Sequence, residues 1–499
     1  MFDRILIANR GEIALRVIRT ARELGMETVA VYSDFDRNAV HTRMAHVAVP
    51  LCGNLPSESY LVADKILAAA KATGAQAIHP GYGFLSENAN FARAVEAAGL
   101  AWIGPPASAI EVMGDKIESR RAMQAAGVPV VPGIVDPIDD AEAAVVIAQE
   151  IGYPIAIKAA AGGGGKGIRV VREPSEMKSA FRQASGEAVS SFGDGRLYME
   201  RYLDRGRHIE VQVMFDAHGN GVHFGERECS IQRRHQKLLE ECPSVVITDE
   251  LRARMGEVAL QAGRAVSYRG AGTVEFLYMD GEFYFLEMNT RLQVEHPITE
   301  MVTGVDLVHE QLRVAAGQEL GYDQSAIRMR GHSIEVRINA EDVPAGFLPS
   351  TGTVRNLRLP GGPWVRIDSC LYRGLVVGLN YDPMLAKIIV WGPDRTVAIA
   401  RMKRALEELN VGGVRTSAPA AMAVLEEPRF ISGDFDTKFL ESLDLSKARG
   451  GLSILAAAAA ALHRRNEAQR QALAPDAASR RGWTQRHRGS LTDHIRRSQ

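Results

Sequence analysis

Strand-like and helix-like segments alternate over about the first 110 residues, and this alternation limits the fold more than any other feature of the sequence. Residues 4–8 have the pattern of a short buried strand, and helical spacing follows from Ile13 to Leu24. Further strand patterns appear at residues 28–32 and 77–79. Such alternation predicts an α/β fold with a parallel, doubly wound sheet. The first turn contains only Gly11, so we predict a tight turn there and no dinucleotide site.

Length and composition exclude several classes of protein. The chain has 499 residues, which suggests about three domains. A net charge of -1 gives no support to nucleic-acid binding, and no apolar run reaches the ~18 residues of a membrane span. The four cysteines form no CxxC pair, which argues against a disulfide scaffold or a Cys-rich zinc site. We therefore expect a cytoplasmic enzyme that contacts neither nucleic acid nor membrane.

A run of four glycines lies within residues 161–167, between two strand-like segments. Glycines let backbone N–H groups approach an anion without obstruction by Cβ, so such a loop can cover the phosphates of a nucleotide. Lys158, at the end of the preceding strand, and Lys116 could direct their ammonium groups at the same phosphates. The alternative is a flexible hairpin tip, although a turn needs only one or two glycines.

Residues 273–289 have the pattern of a hairpin around an Asp-Gly turn, with Glu275 and Glu287 in otherwise apolar strands. Together with the Asn289 amide oxygen, these carboxylates form an all-oxygen set that suits Mg²⁺. A regular two-residue turn would place Glu275 and Glu287 on opposite faces, so joint metal binding requires an odd-length loop or a β-bulge. We predict one of these two. The alternative is that both carboxylates lie on a solvated face.

Charged residues follow this hairpin and recur on both sides of it. Arg291, Lys237 and Arg337 could hold a small planar oxyanion between guanidinium and ammonium groups. Glu295 could act as a general base among them. Two simpler interpretations stay open: residues 233–237 as an exposed basic stretch, and Arg291 with Glu295 as a local ion pair four residues apart.

These motifs occur together in an order that resembles biotin carboxylase, a member of the ATP-grasp superfamily. The similarity extends from Met1 to about residue 445. It is carried by residues 7–13 (IANRGEI), 79–87 (HPGYGFLSE), 113–116 (MGDK), Lys158 with its glycine loop, 225–237 (GERECSIQRRHQK) and 287–296 (EMNTRLQVEH).

The resemblance implies a three-part fold. Residues 1–113 would form an N-terminal Rossmann-like domain, and residues 114–330 an ATP-grasp domain with a mobile lid at about residues 130–203. Residues 331–446 would form a C-terminal domain that closes the site. The tail, residues 447–499, has eleven Lys/Arg against three Asp/Glu. We expect one helix near residues 452–472 and a poorly ordered end, with docking of a partner or a solvated extension as its two interpretations.

The resemblance also implies roles for individual residues. Two Mg²⁺ ions, or Mn²⁺ in their place, would bind Glu275, Glu287 and Asn289. Bicarbonate would contact Lys237, Arg291, Gln293 and Val294, with Glu295 as its base and Arg337 stabilising the biotin oxygen. Lys166 stands in the glycine loop where many relatives carry Arg. The residues implied to contact ATP are Lys116, Lys158, Gly164, Gly165, Glu200, Arg201, Tyr202, Leu203, His208, His235, Glu275 and Glu287.

The reaction implied is ATP- and bicarbonate-dependent carboxylation of biotin through carboxyphosphate. No Ala-Met-Lys-Met biotinylation motif occurs, so a biotin carboxyl carrier protein and the carboxyltransferase subunits would be other chains. Relatives form homodimers through residues that match Arg19 and Glu23, and the opposing stretch, residues 363–366, begins with a proline in this chain. Two alternatives are another ATP-grasp carboxylate ligase and a non-catalytic nucleotide-binding scaffold. The final carboxyl acceptor, an acyl-CoA or pyruvate, is left open.

Overall fold

The structure is a computed structural model that describes residues 1–134, 136–138, 140–160, 168–234, 236–446, 448, 459 and 461–469. It divides into a compact unit of residues 1–448 and a second unit of residues 449–499. In the second unit, residue 459 and residues 461–469 are helical, which agrees with the helix predicted there. The other tail residues for which we made predictions lie outside the described residues.

A five-stranded parallel sheet forms the N-terminal part of the larger unit. Its strand order is β3-β2-β1-β4-β5, with β1 at the centre. This order is that of a doubly wound sheet and confirms the predicted alternation. The sequence did not indicate β3 or β5, which are short. The strands are β1 (Arg4–Ile7), β2 (Glu27–Tyr32), β3 (Val47–Pro50), β4 (Ala77–His79) and β5 (Ala101–Trp102).

Helices cover both faces of this sheet. Gly11 adopts φ +66°, a left-handed conformation that favours glycine, and it begins the first helix directly after the strand. Ile13, Val17 and Ile18 of that helix are fully buried against the sheet. The helices of this region and of the segment that follows are α1 (Gly11–Glu23), α2 (Val40–Met44), α3 (Ala63–Thr73), α4 (Ala89–Ala97), α5 (Ala107–Gly114) and α6 (Lys116–Ala125).

A small three-stranded antiparallel sheet with two helices stands apart from the larger sheets. Its order is β7-β6-β8, and its own core includes Ile157, Phe181 and Met199. It lies within residues 130–203, where we predicted the lid. Its elements are α7 (Ala141–Ile151), β6 (Ile155–Ala159), β7 (Ile168–Val171), α8 (Met177–Phe192) and β8 (Leu197–Arg201).

An eight-stranded antiparallel sheet forms the centre of the larger unit. Its order is β13-β12-β9-β10-β11-β14-β21-β19, so strands from the predicted ATP-grasp and C-terminal segments join in one sheet where β11 pairs with β14. The strands are β9 (Arg207–Phe215), β10 (Gly221–Arg233), β11 (Gln236–Cys242), β12 (Gly270–Met279), β13 (Glu282–Asn289), β14 (His332–Asn339), β19 (Val365–Ser369) and β21 (Met384–Gly392). Helices α9 (Asp249–Ala265), α10 (His296–Thr303) and α11 (Leu307–Ala315) also belong to this part of the chain.

The C-terminal part of this unit adds helices and short ladders. Alternating Ile334, Val336 and Ile338 of β14 are fully buried in its core, as their period-two spacing predicts. The remaining elements are β15 (Glu341–Asp342), β16 (Leu348–Pro349), β17 (Gly352–Thr353), β18 (Asn356–Arg358), β20 (Val376–Val377), α12 (Arg395–Glu408), β22 (Asn410–Gly412), α13 (Ala418–Glu426) and α14 (Pro428–Ser432). Within the described residues, no helix combines the length and apolar character needed to span a membrane.

Candidate active site

The β12–β13 hairpin brings two glutamates directly opposite each other. Met279 pairs with Glu282 across the two-residue Asp280-Gly281 turn, and regular pairing continues to Phe276 and Phe285. A register shift then makes Glu275 the partner of Glu287, with Leu286 as the extra residue of a β-bulge. The bulge predicted from parity is therefore present. Without it, Glu287 would face the opposite side of the sheet.

Glu275 accepts hydrogen bonds from two amide groups beside the hairpin. Asn289 Nδ2 donates to Glu275 Oε1 at 2.8 Å, and Gln293 Nε2 donates to the same oxygen at 2.9 Å. Glu275 is buried, which excludes the interpretation that it lies on a solvated face. Burial and the neighbouring Glu275 carboxylate together raise the pKa of Glu287. The paired carboxylates of Glu275 and Glu287 offer the hard oxygen ligands that suit Mg²⁺, whereas the Asn289 oxygen Oδ1 here accepts a hydrogen bond from Arg291.

Lys237 lies among three carboxylates that come from three different segments. Its Nζ donates to Glu210 Oε2 at 2.6 Å, to Glu295 Oε1 at 2.5 Å and to Glu275 Oε1 at 3.3 Å. Although burial alone lowers the pKa of an ammonium group, these carboxylates raise the pKa of Lys237 well above its usual value. Lys237 is therefore a permanent positive charge next to the proposed metal ligand Glu275.

Glu295 lies between two cations. Lys237 contacts one oxygen of its carboxylate, and Arg337 Nη2 donates to the other, Oε2, at 3.0 Å. Burial raises the pKa of a carboxyl group, but Lys237 and Arg337 outweigh it and lower the pKa of Glu295. Glu295 is therefore ionised, as a general base must be, although it is only 2% exposed.

Arg291 points to a partner from the N-terminal sheet region. Its Nε donates to Glu87 Oε2 at 2.8 Å, and its Nη2 donates to Asn289 Oδ1 at 2.9 Å. The simpler interpretation, an Arg291–Glu295 ion pair, is wrong, because the ion pair of Arg291 is with Glu87. Glu87 also accepts a hydrogen bond from the Thr290 backbone at 3.1 Å, so it fixes the segment that follows the hairpin.

Lys158 and Glu200 form an ion pair between β6 and β8. Arg120 of α6 adds a second cation, with its Nη1 2.6 Å from Glu200 Oε2. Lys116 begins α6, where Asp115 caps the helix by accepting from two backbone N–H groups. The positive charge of Lys116 partly offsets the effects of burial and Glu275, which together raise the pKa of Glu287.

His208, on β9, lies beside the same carboxylates. Its Nε2 is 3.2 Å from Glu275 Oε2. Burial lowers the pKa of an imidazole, but Glu275 and Glu210 raise that of His208 to about 9. Val294 presents its carbonyl to Lys387 Nζ at 2.7 Å. Arg201 ends β8, and Tyr202 and Leu203 follow it. Gly164, Gly165, Lys166 and His235 lie outside the described residues.

The sequence analysis missed four residues of this site: Glu87, Arg120, Glu210 and Arg227. Arg227 is fully buried and joins Glu210 to Gln293, with Nε 2.6 Å from Glu210 Oε1 and Nη2 2.6 Å from Gln293 Oε1. The same guanidinium also donates to Gln212, Thr299 and Thr273, so its bonds all go to other side chains of the protein. One signal was available: His208, Glu210 and Gln212 alternate with apolar residues in β9, which places all three on one face.

Comparison with known proteins bears on this geometry. Family models match three successive parts of the chain: the biotin carboxylase N-terminal domain at residues 1–110, the ATP binding domain of carbamoyl-phosphate synthase L chain at residues 115–322, and the biotin carboxylase C-terminal domain at residues 335–442. Biotin carboxylase 1 of Bacillus subtilis is 51% identical over 447 residues, which cover 89% of this chain and 99% of that protein.

The chain belongs to the biotin carboxylase family. Biotin carboxylase of Haemophilus influenzae is also similar, at 51% identity over 88% of this chain and 98% of its own. Among solved structures, the biotin carboxylase domain dimer of the Hydrogenobacter thermophilus 2-oxoglutarate carboxylase, in complex with MgADP, ADP and bicarbonate, has a TM-score of 0.85. It is 48% identical and covers 88% of this chain and 97% of its own.

Membership of this family, together with the cationic and carboxylate groups described above, identifies the chain as a ligase with a three-part biotin carboxylase fold. It catalyses the carboxylation of biotin, dependent on ATP and bicarbonate.

Proposed function

We propose that Glu295 removes the proton of bicarbonate while Lys237 and Arg291 hold the anion next to the γ-phosphate of ATP. The observation that carries this proposal is the position of the Glu295 carboxylate, bonded to Lys237 on one oxygen and to Arg337 on the other. Gln293 and the Val294 backbone complete the bicarbonate contacts in the proposal. Because bicarbonate is a weak nucleophile, a positioned base and fixed orientation are the main help that a protein can give it.

The nucleotide side of the site is assigned to the opposite end of the cluster. Glu275, Glu287 and Asn289 would hold Mg²⁺, or Mn²⁺, which neutralises phosphate charge when bound. Lys116, Lys158 and His208 would contribute positive charge towards the phosphates. We assign the adenine contacts to residues 200–203, and further ATP contacts to Gly164, Gly165 and His235. The present partner of Lys158, Glu200, would release it when phosphate oxygens arrive.

Attack of bicarbonate on the γ-phosphate gives carboxyphosphate and ADP. Breakdown of carboxyphosphate gives CO₂ and phosphate. This phosphate is basic enough to take the ureido N–H proton of biotin. Arg337 would then stabilise the negative charge that develops on the biotin oxygen. The lid, which we place at about residues 130–203, would keep water from the intermediate.

The partners are proposed on the same basis. Biotin would be presented by a separate biotin carboxyl carrier protein, and separate carboxyltransferase subunits would pass the carboxyl group to an acyl-CoA or a keto acid. For the homodimer, the supporting feature is a cavity of about 400 Å³ lined by Arg19, Glu23 and Arg366. We also propose that the domains of the chain meet at residues 113/114, 330/331 and 446/447. A cytoplasmic location is proposed as well.

The experiment measures ADP release from the purified full chain with free biotin, with and without bicarbonate. We expect ADP release to require bicarbonate. Release that is independent of bicarbonate would indicate another ATP-grasp ligase, and no release under any condition would indicate a scaffold.

Glu295→Gln tests the role of the base. We expect bicarbonate-dependent ADP release to fall by about 100-fold or more, which is the usual contribution of a general base, while the Kd for ATP changes less than twofold. Glu310→Gln is the control, because Glu310 is also buried and paired with an arginine, Arg313, outside the site. A large loss of ATP affinity in Glu295→Gln, with turnover kept, would refute the proposed role.

A further inference from the structure

Two buried glutamates face each other next to Arg337 and have no role in the reaction described above. Glu240 of β11 and Glu335 of β14 are direct partners in the antiparallel register, so their side chains lie on the same face of the sheet. Both are 0% exposed. Among the described residues, three of their four carboxylate oxygens have no hydrogen-bond partner; these are Glu240 Oε2, Glu335 Oε1 and Glu335 Oε2.

The fourth oxygen binds Arg337. Arg337 Nε donates to Glu240 Oε1 at 2.6 Å, while Nη2 of the same guanidinium donates to Glu295 Oε2 at 3.0 Å. The guanidinium is planar and rigid, so two bonds from different nitrogens fix both its position and the direction of its plane. A single bond to Glu295 would leave the plane free to turn. Glu240 therefore sets the orientation of Arg337.

A second bulge in the sheet makes this contact achievable. Ile231 pairs with Leu239 and Gln232 pairs with Lys237, which leaves Leu238 as an extra residue in β11. Lys237 and Glu240 consequently point to the same face, whereas a regular strand would separate them. Strand β11 thus contributes two residues to this group. Lys237 binds Oε1 of Glu295, and Glu240 binds Arg337, which in turn binds Oε2 of Glu295.

We propose that Glu240 is a positioning residue for Arg337 in the biotin step, and that it acts through the reach of its carboxyl oxygen Oε1. This rests on the role proposed above for Arg337. An apolar residue at this fully buried position would avoid the desolvation of a carboxyl group, so packing alone does not explain the glutamate. Glu335 has the same burial and lies directly opposite, but no hydrogen bond joins it to Arg337, so it serves as the matched control.

Several charged and titratable groups surround this pair of glutamates. The charged and titratable groups that act on Glu240 are Arg337 and Glu335 from β14, Lys237 from its own strand, Glu295 from the segment before α10, and Cys229 from β10. Burial outweighs the cations and raises the pKa of Glu240 to about 7. Burial also raises the pKa of Glu335 well above its usual value. In either protonation state, the Glu240 carboxyl group can accept the Arg337 N–H through Oε1.

The experiment compares Glu240→Gln, which keeps the length of the side chain, with Glu240→Asp, which keeps the carboxyl group but withdraws it by one methylene. ADP release with bicarbonate is measured with and without free biotin, beside Glu335→Gln. For the biotin-stimulated kcat/KM, we expect Glu240→Asp to lose at least fivefold and Glu240→Gln to retain at least a third of the wild-type value. ADP release without biotin should fall less than twofold in Glu240→Asp, because the hydrogen bond from Lys237 to Glu295 remains. The control Glu335→Gln should match the wild type in both assays.

Several outcomes would overturn the inference: Glu240→Asp as active as Glu240→Gln, an equal loss in Glu335→Gln, or an equal loss with and without biotin. The failure of the proposed function is distinguishable from these, because the wild type itself would then show no bicarbonate-dependent ADP release.

Discussion

At the scale of single residues, a buried carboxyl group without a hydrogen bond lies near Lys387, the residue that binds the Val294 carbonyl. Glu12, at the start of α1, is 3% exposed, and among the described residues neither of its carboxylate oxygens has a hydrogen-bond partner. Lys387 Nζ is 3.5 Å from it and donates instead to the Val294 carbonyl. Burial outweighs the Lys387 charge and raises the pKa of Glu12 to about 7. The folded protein therefore favours the neutral carboxyl group.

The pH dependence of stability follows from this shift. A carboxyl pKa raised from 4.5 to about 7 contributes stability that is complete below pH 4.5 and is lost as the pH rises through 7. Glu12→Gln removes this titration. We expect the unfolding free energy of the variant, minus that of the wild type, to increase by on the order of 2–3 kcal/mol from pH 5 to pH 8. Denaturant unfolding at both pH values measures it, and a difference that is constant or decreasing with pH would contradict the account.

Residue types and their order predicted part of the clustering of charged side chains that the structure shows. Lys237 and Arg337 meet at Glu295, as the predicted anion site requires, whereas Arg291 pairs with Glu87. The partnership of Arg291 with Glu87 was not predictable, since these residues lie 204 positions apart in the sequence. Only the packing of the N-terminal sheet region against the hairpin determines that contact.

At the scale of elements, two β-bulges determine which side chains share the working face of the central sheet. The bulge at Leu286 places Glu287 opposite Glu275, and the bulge at Leu238 aligns Lys237 with Glu240. Parity predicted the first, because the Asp-Gly turn fixes the register of the hairpin. It could not predict the second, since nothing in residues 233–238 shows which of them is left unpaired. Bulges of this kind re-aim side chains near active sites.

Exchanging two adjacent residues tests the first bulge. The double variant Leu286→Glu/Glu287→Leu keeps the composition but moves the carboxylate to the unpaired position. We expect the Kd for MgATP to rise at least tenfold, because the carboxylate no longer faces Glu275. Isothermal titration measures the Kd, and Leu286→Glu alone, which keeps Glu287, is the control. If the double variant bound MgATP as the wild type does, the assigned register would be incorrect.

At the scale of the whole molecule, the site is assembled from distant parts of one compact unit. Glu87 follows the N-terminal sheet strand β4, Glu295 precedes α10, and Arg337 lies on β14, beyond the boundary predicted near residue 330. The predicted boundary lies just before β14, and β14 pairs with β11 of the preceding segment in one continuous sheet. Local patterns predicted the separate segments, but the joining of strands 90 or more residues apart depends on long-range pairing that periodicity does not reveal.

In the proposed reaction, a bicarbonate oxygen attacks the γ-phosphate of ATP. Turnover with ¹⁸O-labelled bicarbonate tests it directly, because decarboxylation of carboxyphosphate leaves the attacking oxygen on phosphate. Mass spectrometry of the phosphate should show one ¹⁸O atom per phosphate released. Phosphate without ¹⁸O, at the same rate of ADP release, would show that water attacks ATP instead and would contradict the account.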